Sequence, residues 1–272
     1  MSTTESVTPP VPRPIDAPPS SDWRILAASV PGTSHGKTGT PCQDAHAYRQ
    51  LNGTAVLVAA DGAGSADRSA QGAATAAETA ANVLAEALAW GWPASEPEWQ
   101  AVFERVYQQA RAAVVYMAEA QALAPRSFAS TLLCVAASDQ GLAVAQLGDG
   151  LAVATLDGGD WYLAATPQRG EYANETYFLT QAGSLPPVDV RLYAEPVQAV
   201  AVMTDGLLRL VLDMNRNQPH RPFFQPLLAF AAQVSDPGEA NAQLTAFLGS
   251  ERVNARTDDD KTLVLAARQS TA

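Results

Sequence analysis

Five aspartates of this chain stand in positions that suit the binding of divalent cations. They are Asp44, Asp61, Asp149, Asp205 and Asp259, and all but the first directly flank a short apolar run. Mg²⁺ and Mn²⁺ prefer oxygen ligands, and a carboxylate at the end of a strand leaves the core while the strand holds it rigidly. Two such cations about 4 Å apart can activate a water molecule and orient a phosphoryl group for in-line attack. The pattern therefore predicts a hydrolytic site built on two metal ions.

Ordinary turns and a calcium loop are the alternatives for these acidic residues. Glycine follows aspartate at residues 61–62, 149–150 and 205–206, and three aspartates are consecutive at 258–260. A single Asp-Gly step after a strand is usually a turn, but its recurrence at the ends of apolar runs favours a shared site. An EF-hand requires a loop of about 12 residues with ligands at alternating positions, and this sequence lacks one.

The composition indicates a folded, acidic protein without a membrane span. The chain has 272 residues, 47% of them hydrophobic, and a net charge of −11. An acidic chain repels the phosphate backbone, which argues against a nucleic-acid partner. Cys42 and Cys134 are too few for a disulfide framework, and neither a secretory signal nor an apolar stretch of about 18 residues is present. These features predict a cytoplasmic location.

The apolar patterning predicts an α+β fold. Residues 1–21 are rich in proline and serine and are expected to form a disordered leader before a single domain at 22–272. Predicted strands lie at 23–30, 54–60, 130–137, 142–147, 151–156, 161–164, 190–195, 197–203 and 261–267. Predicted helices lie at 70–88, 99–117, 207–212, 222–233 and 238–248. Because the helices are clustered and do not alternate with strands, antiparallel sheets covered by helix pairs are favoured.

An ordered set of motifs extends over nearly all of the folded part. The runs QDA, VAADGAGS, STLL, LGDG, MTDGL and DDKTLVLA lie between about residues 23 and 268. The set resembles the metal-dependent protein phosphatases of type 2C, the PPM family, in their bacterial-type subgroup. The resemblance implies a four-layer α-β-β-α sandwich of two antiparallel sheets flanked by helix pairs. It also implies hydrolysis of phosphoserine and phosphothreonine in proteins, without a phosphoenzyme, at a centre of two Mg²⁺ or Mn²⁺ ions.

The same resemblance implies metal-binding roles for five residues. Asp61 would bridge the two metals, and the carbonyl oxygen of Gly62 would bind one of them. Asp205 and Asp259 would complete the shell of the first metal. Asp149 would help to bind a third metal, which many bacterial-type members hold. In the triplet at 258–260 the family spacing, an aspartate, a polar residue, any residue and then threonine, selects Asp259.

Further roles and two departures also follow from the resemblance. Asp44 would hold water bound to the metals, and Asp258 is the alternative to the ligand chosen from the triplet. Many members carry an acidic residue where this chain has Gln43, and animal members carry a histidine, thought to act as general acid, where it has Ala63. Since general acid catalysis contributes about 10²–10⁴-fold, a slower reaction is an expected consequence.

Phosphate binding and substrate selection are assigned to two segments. Family members often use an arginine upstream of the first aspartate, but the glycine- and threonine-rich loop at 32–41 has none. Lys37 would supply the positive charge there, and His35 a proton or a hydrogen bond, with Arg68 as a weaker candidate. The long polar segment at about 166–188 corresponds to the flap of the family, which would select the substrate.

Two questions about function stay open at this point. The neutral Gln43, Ala63 and the missing arginine motivate an alternative, a catalytically weak or inactive module that binds a phosphoprotein or a partner domain. The resemblance further suggests a cognate serine/threonine kinase as the opposing partner, together with a von Willebrand A-type protein.

Overall fold

The computed structural model describes residues 23–156, 159, 161–168, 176–185, 188–213 and 216–269. The strands are β1 (Trp23–Val30), β2 (Ala45–Leu51), β3 (Thr54–Ala60), β4 (Leu132–Ala137), β5 (Leu142–Leu147), β6 (Leu151–Leu156), β7 (Trp161–Ala165), β8 (Asp189–Tyr193), β9 (Val197–Met203), β10 (Leu212–Asp213), β11 (Gln218–Pro219) and β12 (Lys261–Arg268). The helices are α1 (Thr33–Thr38), α2 (Ser69–Leu88), α3 (Glu96–Ala120), α4 (Leu208–Val211), α5 (Arg221–Ala232), α6 (Pro237–Leu248) and α7 (Glu251–Asn254). Short 3₁₀ turns occupy Pro125–Phe128 and Asp205–Leu207.

Two antiparallel sheets of five strands form the centre of the domain. One has the strand order β1-β12-β9-β6-β7, and the other has the order β2-β3-β4-β5-β8. The turn between β5 and β6 crosses from one sheet to the other. Strand ends from both sheets can therefore meet at one end of the sandwich, where the predicted metal-binding aspartates lie.

Three apolar clusters divide the sandwich into four layers. One cluster joins α2 and α3 to the outer face of the sheet that contains β3. A second joins α5 and α6 to the outer face of the sheet that contains β12. The third takes side chains from the inner faces of both sheets, including Trp23, Leu57 and Val264. The predicted α+β sandwich with flanking helix pairs is confirmed.

Alanines allow α2 to lie close to its sheet. The buried face of this helix carries small side chains at helical spacing, among them Ala73, Ala76, Ala77, Ala80 and Ala81. The larger ring of Phe103 on α3 is fully buried beside them. This packing matters for the site because α2 begins eight residues after Asp61, and its first residue, Ser69, lies against Gly62 in the turn that carries Asp61.

The structure differs from the sequence-based expectation in two segments near the site. The loop expected at 32–41 contains the short helix α1, whose chain reverses at Gly39 with a φ of +70°. Strand β2, which follows Asp44, was not predicted.

The predicted leader at 1–21 lies outside the described residues, and the predicted flap is described at 166–168, 176–185 and 188. In the described part of the chain, no helix combines the length and apolar character needed to span a membrane.

Candidate metal centre

Asp61 occupies a turn that is held by hydrogen bonds on both sides. It directly follows the fully buried strand β3, and its N–H donates to Thr131 Oγ1 at 2.9 Å. The N–H of Thr131 donates back to the carbonyl of Asp61 at 2.8 Å. The next residue, Gly62, is buried and pairs with Ser130 in an isolated bridge. The backbone on either side of the Asp61 carboxylate is therefore fixed.

Asp61, Asp149 and Asp205 converge on one point. Asp149 lies in the turn between β5 and β6, and Asp205 begins the 3₁₀ turn that follows β9. Each contributes one carboxylate oxygen to a group whose atoms all lie within 4.8 Å of one another. The three residues are far apart in sequence and belong to three different turns. Their convergence brings together three of the predicted metal ligands.

Asp259 lies beside this cluster rather than inside it. It is not part of the 4.8 Å group found among the described residues. Its Cβ is 3.5 Å from the point that a Cβ on Gly206 would occupy, next to Asp205. A Cβ on Gly206 would also collide with the carbonyl of Asp260, so that only glycine allows the two chain segments to approach this closely. The Asp259 side chain is exposed, which leaves it accessible to a cation.

Asp44 is tied to the opposite sheet by threonine. Its side chain is buried, and its Oδ2 accepts a hydrogen bond from Thr204 Oγ1 at 2.7 Å. Thr204 Oγ1 in turn accepts from the N–H of Thr262 at 3.0 Å. This chain of hydrogen bonds joins the start of β2 to β9 and β12. Asp44 is thus a fixed hydrogen-bond acceptor behind the three-carboxylate cluster.

Asp260 organises the segment that precedes β2. It is buried, and its Oδ1 accepts from the N–H of Gly32 at 2.6 Å while its Oδ2 accepts from the N–H of Gln43 at 2.6 Å. His35 Nδ1 lies 2.9 Å from the same Oδ1. One carboxylate therefore holds both ends of the segment and orients the imidazole between them. Lys37, on the same helix, is exposed.

A buried lysine supports the same region. Lys261 is fully buried in β12, where its Nζ donates to Asn254 Oδ1 at 3.0 Å and to the carbonyls of Pro31 and Asp259 at 3.3 Å. Burial lowers the pKa of this lysine, and the neighbouring carboxylates oppose that effect. Lys261 links the aspartate triplet to the turn after β1, so its role is to position backbone.

Burial and then mutual repulsion make the ionised forms of the clustered carboxylates costly without a counter-ion. Burial first, and then the charges of Asp44, Asp205 and Asp149, raise the pKa of Asp61 well above the usual range. Burial, with the charges of Asp149 and Asp259, raises the pKa of Asp205 to about 6. Burial likewise raises the pKa of Asp44 to about 7. A raised pKa means that these carboxyl groups hold their protons more tightly. A divalent cation would supply the opposite charge and displace those protons.

The residues fit a hard divalent cation. The converging donors are carboxylate oxygens, the ligand type that Mg²⁺ and Mn²⁺ prefer. In addition, Asp149 Oδ1 is buried and has no hydrogen-bond partner among the described residues. An unpaired buried carboxylate oxygen is costly unless something neutralises it, and a cation would do so.

The sequence predicted some of these residues and missed others. The clamp candidates Lys37 and Arg68 are exposed on α1 and at the start of α2, and their role in phosphate binding stays a prediction. The structural roles of Thr204 and Lys261 were not predicted. A signal for Thr204 was available, because the threonine directly precedes the Asp-Gly step at 205–206.

Comparisons with known proteins agree on one family. A family model described as protein phosphatase 2C matches residues 31–249. Serine/threonine-protein phosphatase 3 of Escherichia coli (strain K12) is 37% identical over 251 residues, which cover 90% of this chain and 98% of the relative. The serine/threonine phosphatase Stp1 of Staphylococcus aureus shares the fold with a TM-score of 0.60 at 12% identity, over 91% of this chain and 96% of that chain. RsbX, solved in complex with magnesium, shares it with a TM-score of 0.51 at 12% identity over the same shares. This chain belongs to the protein phosphatase 2C family.

Proposed function

We propose that this protein phosphatase hydrolyses phosphoserine and phosphothreonine in proteins, in a reaction that depends on divalent cations. The observation that carries the proposal is the convergence of Asp61, Asp149 and Asp205 within 4.8 Å. Membership of the protein phosphatase 2C family supports the reaction class, because phosphatases of this family depend on metals. The 37% identity to the Escherichia coli serine/threonine-protein phosphatase supports the choice of phosphorylated residue.

We further propose Mg²⁺ or Mn²⁺ as the cation, with two ions and a third at Asp149. Asp61, Asp205, Asp259 and the carbonyl of Gly62 are the proposed ligands of the first two. When bound, such ions polarise phosphoryl oxygens and lower the pKa of water. The magnesium present in the RsbX structure makes Mg²⁺ a reasonable first choice for loading.

Residues of this chain would orient the attacking water, but position 63 offers no proton donor. In the hydrolysis, a water molecule gives up a proton as its oxygen forms a bond to phosphorus, the bond from phosphorus to the serine or threonine oxygen breaks, and that oxygen takes a proton. Thr204 holds Asp44 in place as the acceptor that orients water. Ala63 offers no proton, which leaves the leaving oxygen to be protonated by water or by His35, held on Asp260. We therefore expect slower turnover than in relatives with a histidine at that position.

The partners follow from the substrate. Phosphoserine and phosphothreonine are formed by kinases, so the proposed opposing partner is a serine/threonine kinase. A von Willebrand A-type protein is a second proposed partner, on the resemblance to the bacterial-type subgroup. Cys42 and Cys134 are both free thiols, which suits the reducing conditions of the cytoplasm, the location that we propose.

The proposal predicts metal-dependent activity on two of three phosphopeptides. Purified protein is treated with a chelator, reloaded with Mn²⁺ or Mg²⁺, and assayed for phosphate release from matched phosphoserine, phosphothreonine and phosphotyrosine peptides. We expect release from the first two with metal and background release without it. Turnover that is independent of metal would refute the proposal. Tight binding of the phosphopeptide without turnover in the loaded protein would instead favour the non-catalytic module.

A further inference from the structure

The turn that carries Asp149 is supported from inside the sandwich by glutamine. Gln146 is 1% exposed, and its Nε2 donates to the carbonyl of Gly148 at 3.1 Å and to that of Gly150 at 2.8 Å. Gly148 has a φ of +108°, a conformation that glycine tolerates and other residues rarely adopt. The backbone of this turn is thus held in one unusual shape by a buried side chain.

A second glutamine supports the same turn from the segment that follows β7. The N–H of Gln168 donates to the carbonyl of Gly148 at 3.1 Å, and its Oε1 accepts from the N–H of Gly148 at 2.9 Å. Its Nε2 donates to the carbonyl of Gln146 at 3.3 Å. Gln168 therefore makes three hydrogen bonds to the turn and the strand end before it.

Thr176, further along the same segment, holds the Asp149 side chain itself. Its Oγ1 donates to Asp149 Oδ2 at 2.9 Å. The other oxygen, Oδ1, is buried and lacks a hydrogen-bond partner in the part of the chain that the structure describes. Three residues later, the N–H of Leu179 donates to the carbonyl of Ser130, beside Gly62, at 2.8 Å. The threonine thus fixes one carboxylate oxygen and leaves the second available.

We propose that Gln168 and Thr176 are positioning residues that hold Asp149 ready for a cation, so that metal binding at Asp149 and the hydrogen bonding of these two residues stabilise each other. The inference rests on the proposed metal-dependent function. Replacing a residue that fixes a metal-ligating carboxylate through a hydrogen bond typically weakens metal binding by about 10–100-fold. By linkage, a contact that strengthens metal binding is itself strengthened when the metal binds.

Calorimetric titration with Mn²⁺ tests the role of the Thr176 hydroxyl. The Asp149→Asn variant first identifies which binding step involves Asp149. We expect Thr176→Val to raise the dissociation constant of that step about tenfold or more, and Thr176→Ser, which keeps the hydroxyl, to restore it. Thr180→Val is the matched control, because Thr180 is 5% exposed and its Oγ1 has no hydrogen-bond partner among described residues.

Amide hydrogen exchange at Gln168 gives a readout that is independent of activity. In the wild-type protein and in Thr180→Val, saturating Mn²⁺ is expected to slow exchange of the Gln168 N–H, which donates to Gly148. In Thr176→Val this protection should be largely lost. If Thr176→Val binds Mn²⁺ like the wild type, or if Thr176→Ser is equally impaired, the inference is wrong while the proposed function stands. If the wild type binds no Mn²⁺, the proposed function fails and the inference fails with it.

Discussion

Replacing Asp61 with asparagine is expected to lower metal-dependent phosphatase activity by about 10³-fold or more. Asp61 shares the carboxylate cluster with Asp149 and Asp205, and it is the proposed bridge between two cations. Asparagine has nearly the same shape but one neutral oxygen, so it cannot hold two cations with the same strength. A loss of about 4 kcal/mol of transition-state stabilisation corresponds to this factor. The measurement is kcat/KM on a phosphothreonine peptide with saturating Mn²⁺.

Stability separates this loss of function from misfolding. The Asp61→Asn substitution would remove a charge that burial and, after it, repulsion from the neighbouring carboxylates make costly, as the raised pKa of Asp61 indicates. The metal-free variant should therefore melt at the same temperature as the wild type or higher. Asp67→Asn is the matched control, since Asp67 is exposed and lies six residues further along the chain. Full activity in Asp61→Asn would contradict the proposed role, as would an equal loss in the control.

The three consecutive aspartates at 258–260 are expected to give three different phenotypes when each is replaced by alanine. Asp260→Ala should lower the free energy of unfolding by about 3–5 kcal/mol, because it leaves the N–H groups of Gly32 and Gln43 without their acceptor and removes the contact of Asp260 with His35. For a domain of this size, that corresponds to a melting temperature lower by about 10 °C.

The other two members of the triplet serve as internal controls. Asp259→Ala should remove most of the metal-dependent activity and cost only about 1 kcal/mol of stability, because this side chain is exposed beside the cluster and its Oδ1 accepts from the N–H of Asp260 at 2.8 Å. Asp258→Ala should change little, since the carbonyl of Asp258, not its side chain, accepts from Ser34. Thermal unfolding and the phosphopeptide assay separate the three variants. Activity that is lost in Asp258→Ala but kept in Asp259→Ala would show that the ligand was assigned to the wrong aspartate.

The strand-end aspartates could be predicted because strand and turn are both local signals. Asp61 directly follows the apolar run of β3, Asp205 follows the run of β9 after Thr204, and each is followed by glycine. Such runs have the length and composition of buried strands, and the Asp-Gly step marks their ends. That the strand ends would meet could not be read from the runs themselves. It followed from the order of the motifs and their resemblance to a known family.

The interior role of Asp260 and Lys261 could not be predicted from local pattern. Three identical aspartates give no signal for which one points inward, and a lysine is rarely fully buried. The direction in which these side chains point is set by the pairing of β12 with β1. In that register Lys261 lies opposite Val30, and the next residue, Thr262, lies opposite Ser29. Most partners of these two side chains lie more than two hundred residues away in the sequence, at and beside α1. The exceptions are Asn254 and Asp259, which accept hydrogen bonds from Lys261.

Strand β2 was missed because it is an edge strand. It is the first strand of its sheet, and His46, Arg49 and Gln50 interrupt its apolar pattern. Edge strands bury less surface and tolerate polar side chains on both faces, which removes the alternation that identifies a strand. Helix α1 was missed for a related reason, since it has six residues, one of them glycine, and is anchored through Asp260.

Crystals grown with Mn²⁺ and measured for anomalous scattering test most directly whether the converged carboxylates bind cations. We expect two anomalous peaks at coordination distance from the side chains of Asp61, Asp205 and Asp259, and a third at Asp149. A map without peaks at these carboxylates, from crystals that contain Mn²⁺, would contradict the account. So would side chains of Asp61, Asp149 and Asp205 that point into separate environments.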